Sequence, residues 1–154
     1  MTSVSLDRFL TAQAHPKSGY VNALEELRNG QKQSHWIWWV FPQLAGLGAS
    51  DVAERYAIED LDEALDYLRH PTLGPRLAEA VNVIRSQCHD HPGLLLSTLM
   101  GSRLDAVKLV SCLTLFARVG RAESTAARLV DDADAVLRIA ADQGVPRCAF
   151  TERA

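Results

Sequence analysis

Between Ser102 and Gly120 the apolar residues Leu109, Val110, Leu113, Leu115 and Phe116 point all round a helical wheel. Ser102 with Asp105 resembles a capping box, and Gly120 is placed to stop the helix after about Val119. A helix that is apolar on every face has to be enclosed by other elements. The segment near 103–118 therefore predicts a buried central helix, with the rest of the chain packed around it. A chain of 154 residues, 47% of them hydrophobic, suits one domain with one core.

Helix signals recur on both sides of this segment, and strand alternation does not. Ser5 is placed to cap a helix through about Gln13, with Leu6, Phe9 and Leu10 on one face. Tyr20 to Arg28 follows a turn and is stopped by Gly30. Ser34 is placed to cap a short helix through the tryptophan segment, ended by Pro42. Ser50 caps Asp51 to Ala57, and Asp60 with Glu63 starts Asp62 to Arg69. Gly74-Pro75 opens a helix through about Gln87 with proline at the first position, and His89 to Gly93 reads as a break. A short helix precedes Gly101, and two amphipathic pieces follow Gly120, at Glu123 to Val130 and Ala133 to Gln143. The expectation is an all-α, compact, irregular bundle of about eight short helices. It places one domain over 1–144 and a loosely held tail over 145–154.

The net charge of −3 and the lack of a basic block give no support for nucleic-acid binding. No apolar run approaches membrane-spanning length, so no membrane partner is expected. Cys88, Cys112 and Cys148 are an odd, scattered set, which fits a reducing, cytoplasmic setting better than a disulfide framework. Cys88-His89-Asp90-His91 looks metal-like, but its spacing matches no structural zinc pattern, and a polar turn is expected there. No metal or cofactor is expected. His70 is read as a helix-end residue favouring the negative pole, and Glu25, Glu26 and Asp131-Asp132 as solvated faces. No phosphate-loop, nucleophile-elbow or dinucleotide motif is present.

All three tryptophans, Trp36, Trp38 and Trp39, fall in one short segment, beside His35, Lys32 and Gln43. An aromatic wall edged by polar groups can build a pocket, and it can equally anchor a helical core. In the first reading the groups suit an anionic, ring-bearing metabolite such as a nucleotide. A helix N-terminus at Ser34 would add backbone N–H donors for a phosphate. Asp105 and Lys108 stand on one face of the central helix and either pair with each other or line a cavity. Ser111 and Thr114 lie in the same apolar run, where they can bond to the carbonyl four residues back.

The order Leu6-Asp7-Arg8-Phe9, Ala12-Gln13, then Glu26 to Trp38 with Pro42-Gln43, resembles a known family. Gly46 to Ser50, Tyr56-Ala57-Ile58, Tyr67 to Pro71, Leu73 to Leu77, and Gly101, Asp105, Lys108-Leu109, Ser111 and Thr114-Leu115-Phe116 continue the match. The family is the bacterial domain of unknown function number 1810, sometimes labelled calpastatin-like; nothing in this chain supports protease inhibition. Ile37 and Trp39 replace methionine and phenylalanine, and Gln31 and Gln33 replace basic residues. The resemblance implies a compact helical fold and no particular reaction. It draws attention to the polar residues in its motifs: Gln13, Lys32, His35, Gln43, His70, Asp105, Lys108, Ser111 and Thr114.

The expected site therefore has His35 and Asp105 as catalytic candidates. Gln13, Lys32, Trp36, Trp38, Gln43, Lys108, Ser111 and Thr114 are its ligand-binding candidates. Hydrolysis and group transfer are the reaction classes these groups permit. The competing expectation is a non-catalytic interaction module with a tryptophan-rich core. Oligomeric state is open.

Overall fold

The computed structural model describes residues 2–154, with side chains from Leu6 onward. Its elements are α1 (Thr2–Gln13), α2 (Tyr20–Arg28), α3 (Ile37–Val40), α4 (Asp51–Arg55), α5 (Leu61–Arg69), α6 (Leu73–Asp90), α7 (Leu96–Leu99), α8 (Arg103–Gly120), α9 (Ala127–Asp142) and α10 (Ala149–Arg153). The fold is all-α, with ten helices among the described residues in place of about eight. Its only extended pairing there is one isolated bridge, Leu44 with Ile58.

α8 is the central element. From Leu109 to Ala117 every residue is buried, and α9, α5, α7, α10 and α3 pack against the helix. The Ser102 side chain accepts the Asp105 N–H, as the capping pattern requires. α5 starts on the same logic: the Asp60 carboxylate accepts the Glu63 N–H. Tyr67 on α5 meets Phe116 on α8 and Phe9 on α1, each pair of ring centroids 5.2 Å apart. These rings tie the N-terminal helix to the centre.

Several boundaries differ from the sequence reading. α1 begins at Thr2, so the backbone is already helical at Ser5, whose side chain lies outside those described. Pro75 is the third residue of α6, which starts at Leu73 after Thr72. There too proline displaces no intrahelical hydrogen bond, because the first N–H groups of a helix have no partner within it. α6 continues to Asp90, so Cys88 and His89 lie on a helix and not in a break. Cys88 is buried, and His89 and His91 are exposed. The two pieces expected after Gly120 are one helix, α9, preceded by a 3-10 turn at Ser124–Ala126. The segment expected as a loose tail carries α10, whose Thr151 is fully buried.

Candidate functional site

α2 ends at Arg28, and after Asn29 and Gly30 the chain turns back along its last helical turn. Lys32 N–H then donates to Leu99 O at 2.8 Å, docking this turn onto the junction of α7 and α8. Gly101 makes the approach possible. It has a φ of 84°, and a Cβ there would stand 3.1 Å from the Lys32 carbonyl oxygen. The result is that Lys32 faces the first turn of α8. Its Nζ lies 2.9 Å from Asp105 Oδ2, with side-chain exposures of 6% and 16%. Nζ also donates to the Ser34 carbonyl and stands 4.9 Å from the centre of the Trp36 ring. Lys108 approaches the other oxygen, Asp105 Oδ1, at 3.3 Å, and lies 4.2 Å from the centre of the Trp38 ring. One carboxylate thus holds two ammonium groups, and each ammonium faces one indole. The pairing satisfies a nearly buried lysine that would otherwise carry a large desolvation penalty.

The tryptophans have different surroundings. Trp36 is fully buried and packs on Phe41. Trp39 donates from Nε1 to Ser18 O and pins the turn before α2. Trp38 is half-buried and forms one wall of a hollow of about 230 Å³. Gln43, Gly46, Gly48, Glu54 and Tyr56 are among its other lining residues. The Nε2 of Gln43 is buried and has no hydrogen-bond partner in the structure. A buried donor left unpaired costs about 1–3 kcal/mol.

The remaining expected residues are dispersed. His35 is exposed. Gln13 is buried among other partners: its Nε2 donates to Trp39 O at 2.8 Å and to Tyr67 Oη at 3.2 Å, and its Oε1 accepts from Arg76. Ser111 and Thr114 bond back to the Val107 and Val110 carbonyls. The structure therefore brings Lys32, Asp105, Lys108, Trp36 and Trp38 together, with Gln43 reached through Trp38. It does not bring Gln13, Ser111 or Thr114 there.

Ser34 does not cap a helix. α3 starts at Ile37 after Trp36, and no side chain caps it. Ser34 Oγ donates to Glu26 Oε2, while the Gln33 and Ser34 N–H groups and Trp36 Nε1–H donate to Glu26 Oε1. The donors expected to hold a phosphate are thus occupied by the protein's own carboxylate. Glu26 is not on a solvated face, and sequence reasoning missed it. Burial would raise its pKa, but the bonds from Ser34, Gln33 and Trp36 outweigh that and hold it below the usual carboxylate value. The available signal was Gly30, whose turn sends residues 33–36 back past the end of α2.

Asp132 is likewise buried, bound by Asn82 and by Arg85 at 2.7 Å. His70 is the residue that ends α5, and its Nδ1 accepts the Thr72 and Leu73 N–H groups at the start of α6. Among the described residues no group of three His, Cys, Asp or Glu side chains could hold a metal ion. No helix there is long and apolar enough to cross a membrane.

The profile of the family described as "Protein of unknown function (DUF1810)" matches residues 3–134. The chain belongs to the DUF1810 family. No curated protein matches it. Among solved structures it is similar to the crystal structure of the conserved hypothetical protein Rv1873 from Mycobacterium tuberculosis. The two are 39% identical with a TM-score of 0.76, over 96% of this chain and 93% of the other. The DUF1810 match spans every residue of the lysine–aspartate–indole cluster and ends inside α9.

Proposed function

We propose that this DUF1810 protein binds a small, flat, anionic metabolite in the hollow beside Trp38. The single observation that carries this reading is that Gln43, a residue of the hollow's wall, has a buried amide nitrogen with no hydrogen-bond partner. A ligand acceptor atom there would remove its desolvation cost. Trp38 supplies a ring face, and Lys108 supplies the charge. Lys32 is spent on Asp105 and Ser34, so Lys108 is the ammonium with donors to spare. Glu54 on the lining repels an anion, so the neutral ring of the ligand lies toward it and the charged end toward Lys108. A hollow of about 230 Å³ suits a single ring system, such as a nucleobase, better than a whole nucleotide.

Catalysis is an extension of the same reading. Asp105 orients the two lysines, and a hydrolase or transferase step would require the exposed His35 to turn toward them. A second reading, a non-catalytic interaction or structural module, draws on Gln13, Lys32, Ser111 and Thr114, which are each satisfied within the fold.

Thermal denaturation with nucleobases, nucleoside monophosphates and aromatic carboxylates tests the choice. A saturating ligand at 100 times its Kd adds about 2.7 kcal/mol, which raises Tm by several degrees. The rise should vanish in Gln43→Ala and Lys108→Ala and persist in Gln13→Ala. If no compound in the panel raises Tm, the binding reading fails and the structural module stands.

A further inference from the structure

At the far end of α8 a second, separate concavity is lined by Thr114, Arg118, Arg121, Arg147 and Glu152, with a volume of about 240 Å³. Lys108 and Arg118 stand about 15 Å apart along the helix at 1.5 Å rise per residue, so this is not the Trp38 site. Three guanidinium groups converge here from two parts of the chain. Arg118 and Arg121 come from the end of α8, and Arg147 from the segment after α9.

Each guanidinium is already oriented. Asp134 on α9 takes both terminal nitrogens of Arg121 at 3.0 Å and one from Arg147 at 3.2 Å. The arginines hold the Asp134 carboxyl below its usual pKa, with Arg121 the leading cause. Arg118 Nη1 donates to the Thr151 and Glu152 carbonyls and so fixes α10 to α8. The five bonds described use a minority of the roughly fifteen N–H donors that three guanidiniums carry. Asp134 and Glu152 offset two of the three charges, which leaves one positive charge in excess. Thr114 Oγ1 lies at the same place, accepting the Cys148 N–H.

We propose that this arginine cleft is a binding site for a small phosphate-bearing anion. Preoriented guanidinium forks match tetrahedral oxyanions in geometry, because parallel N–H groups meet two oxygens at once. The cleft accommodates one or two phosphoryl groups and has no aromatic wall, so recognition stops at the phosphate.

The test is a titration of the folded, full-length protein by two-dimensional NMR, with inorganic phosphate, pyrophosphate and, at matched ionic strength, sodium chloride. The expected result is saturable shifts confined to residues 114–121 and 147–152, with pyrophosphate binding more tightly than phosphate. Arg147→Glu should weaken pyrophosphate at least tenfold. Arg121→Gln provides the same reading if Arg147→Glu loses its dispersed spectrum. Equal shifts with chloride, or pyrophosphate binding unchanged in the folded variants, would overturn the proposal. Signals from Trp38, Gln43, Glu54 and Tyr56 report on the Trp38 hollow and should stay still, so the two sites stand or fall separately; Gly46, which lies against Phe150, is left out of that readout.

Discussion

Lys32 Nζ and Asp105 Oδ2 lie 2.9 Å apart and nearly out of solvent, joining the turn after α2 to the first turn of the central helix. Removing Asp105 strands the nearly buried Lys32, whereas removing Lys32 leaves Asp105 paired with Lys108 alone. Breaking a buried pair in this way costs about 3 kcal/mol or more, while replacing both partners with apolar groups costs much less. Urea denaturation of Lys32→Met, Asp105→Leu and the double variant should therefore show strong non-additivity. Additive losses would mean that the two groups do not stabilise each other.

Glu26 should shape the acid limb of stability. Its pKa is lowered in the folded protein from an ordinary value of 4.5. The unfolded chain therefore binds the proton more readily. The stability this group contributes is fully present above about pH 4.5 and is lost as pH falls through the folded pKa. Urea midpoints between pH 3 and 6.5 should fall less steeply in Glu26→Gln than in the wild type. Parallel curves would remove Glu26 from the account.

Gly46 tests the loop over the Trp38 hollow. Its φ is 102°, and a Cβ would come within 2.9 Å of Phe150 Cζ. Phe150 is 43% exposed and its ring end can swing away, so the backbone conformation is the larger obstacle. Gly46→Ala should cost about 1–2 kcal/mol. Adding Phe150→Ala should recover little of it in thermal melts. Full recovery would show that the ring contact dominates.

Gln13 should behave as a strut. It links α1 to Trp39, Tyr67 and Arg76, and Gln13→Ala leaves those partners unpaired. A loss of about 1–3 kcal/mol in chemical denaturation is expected. If Gln13→Ala instead leaves stability unchanged and abolishes ligand stabilisation, Gln13 belongs to the binding site.

The helices were legible because their signals are local. Ser102, Asp60 and Ser50 each accept an N–H from a residue three positions on, within reach of the chain's own geometry. The enclosure of α8 followed from its apolar circumference. Errors arose where a local pattern had two outcomes. Asp131 and Asp132 look alike in sequence, yet only Asp132 meets Arg85 and Asn82 across the α6–α9 contact. Glu25 and Glu26 diverge in the same way, because the returning turn covers only one of them.

By itself, then, the order of residues determined an all-helical chain wrapped around one apolar helix, since periodicity and capping act over a few residues. Tertiary packing alone decided that Lys32 would meet Asp105 and that Glu26 would take the donors at Ser34. It also placed Trp38, and not Trp36, on an open wall. Those outcomes depend on how distant segments dock. A charge or an indole acquires its role only from the partners and the dielectric that docking supplies.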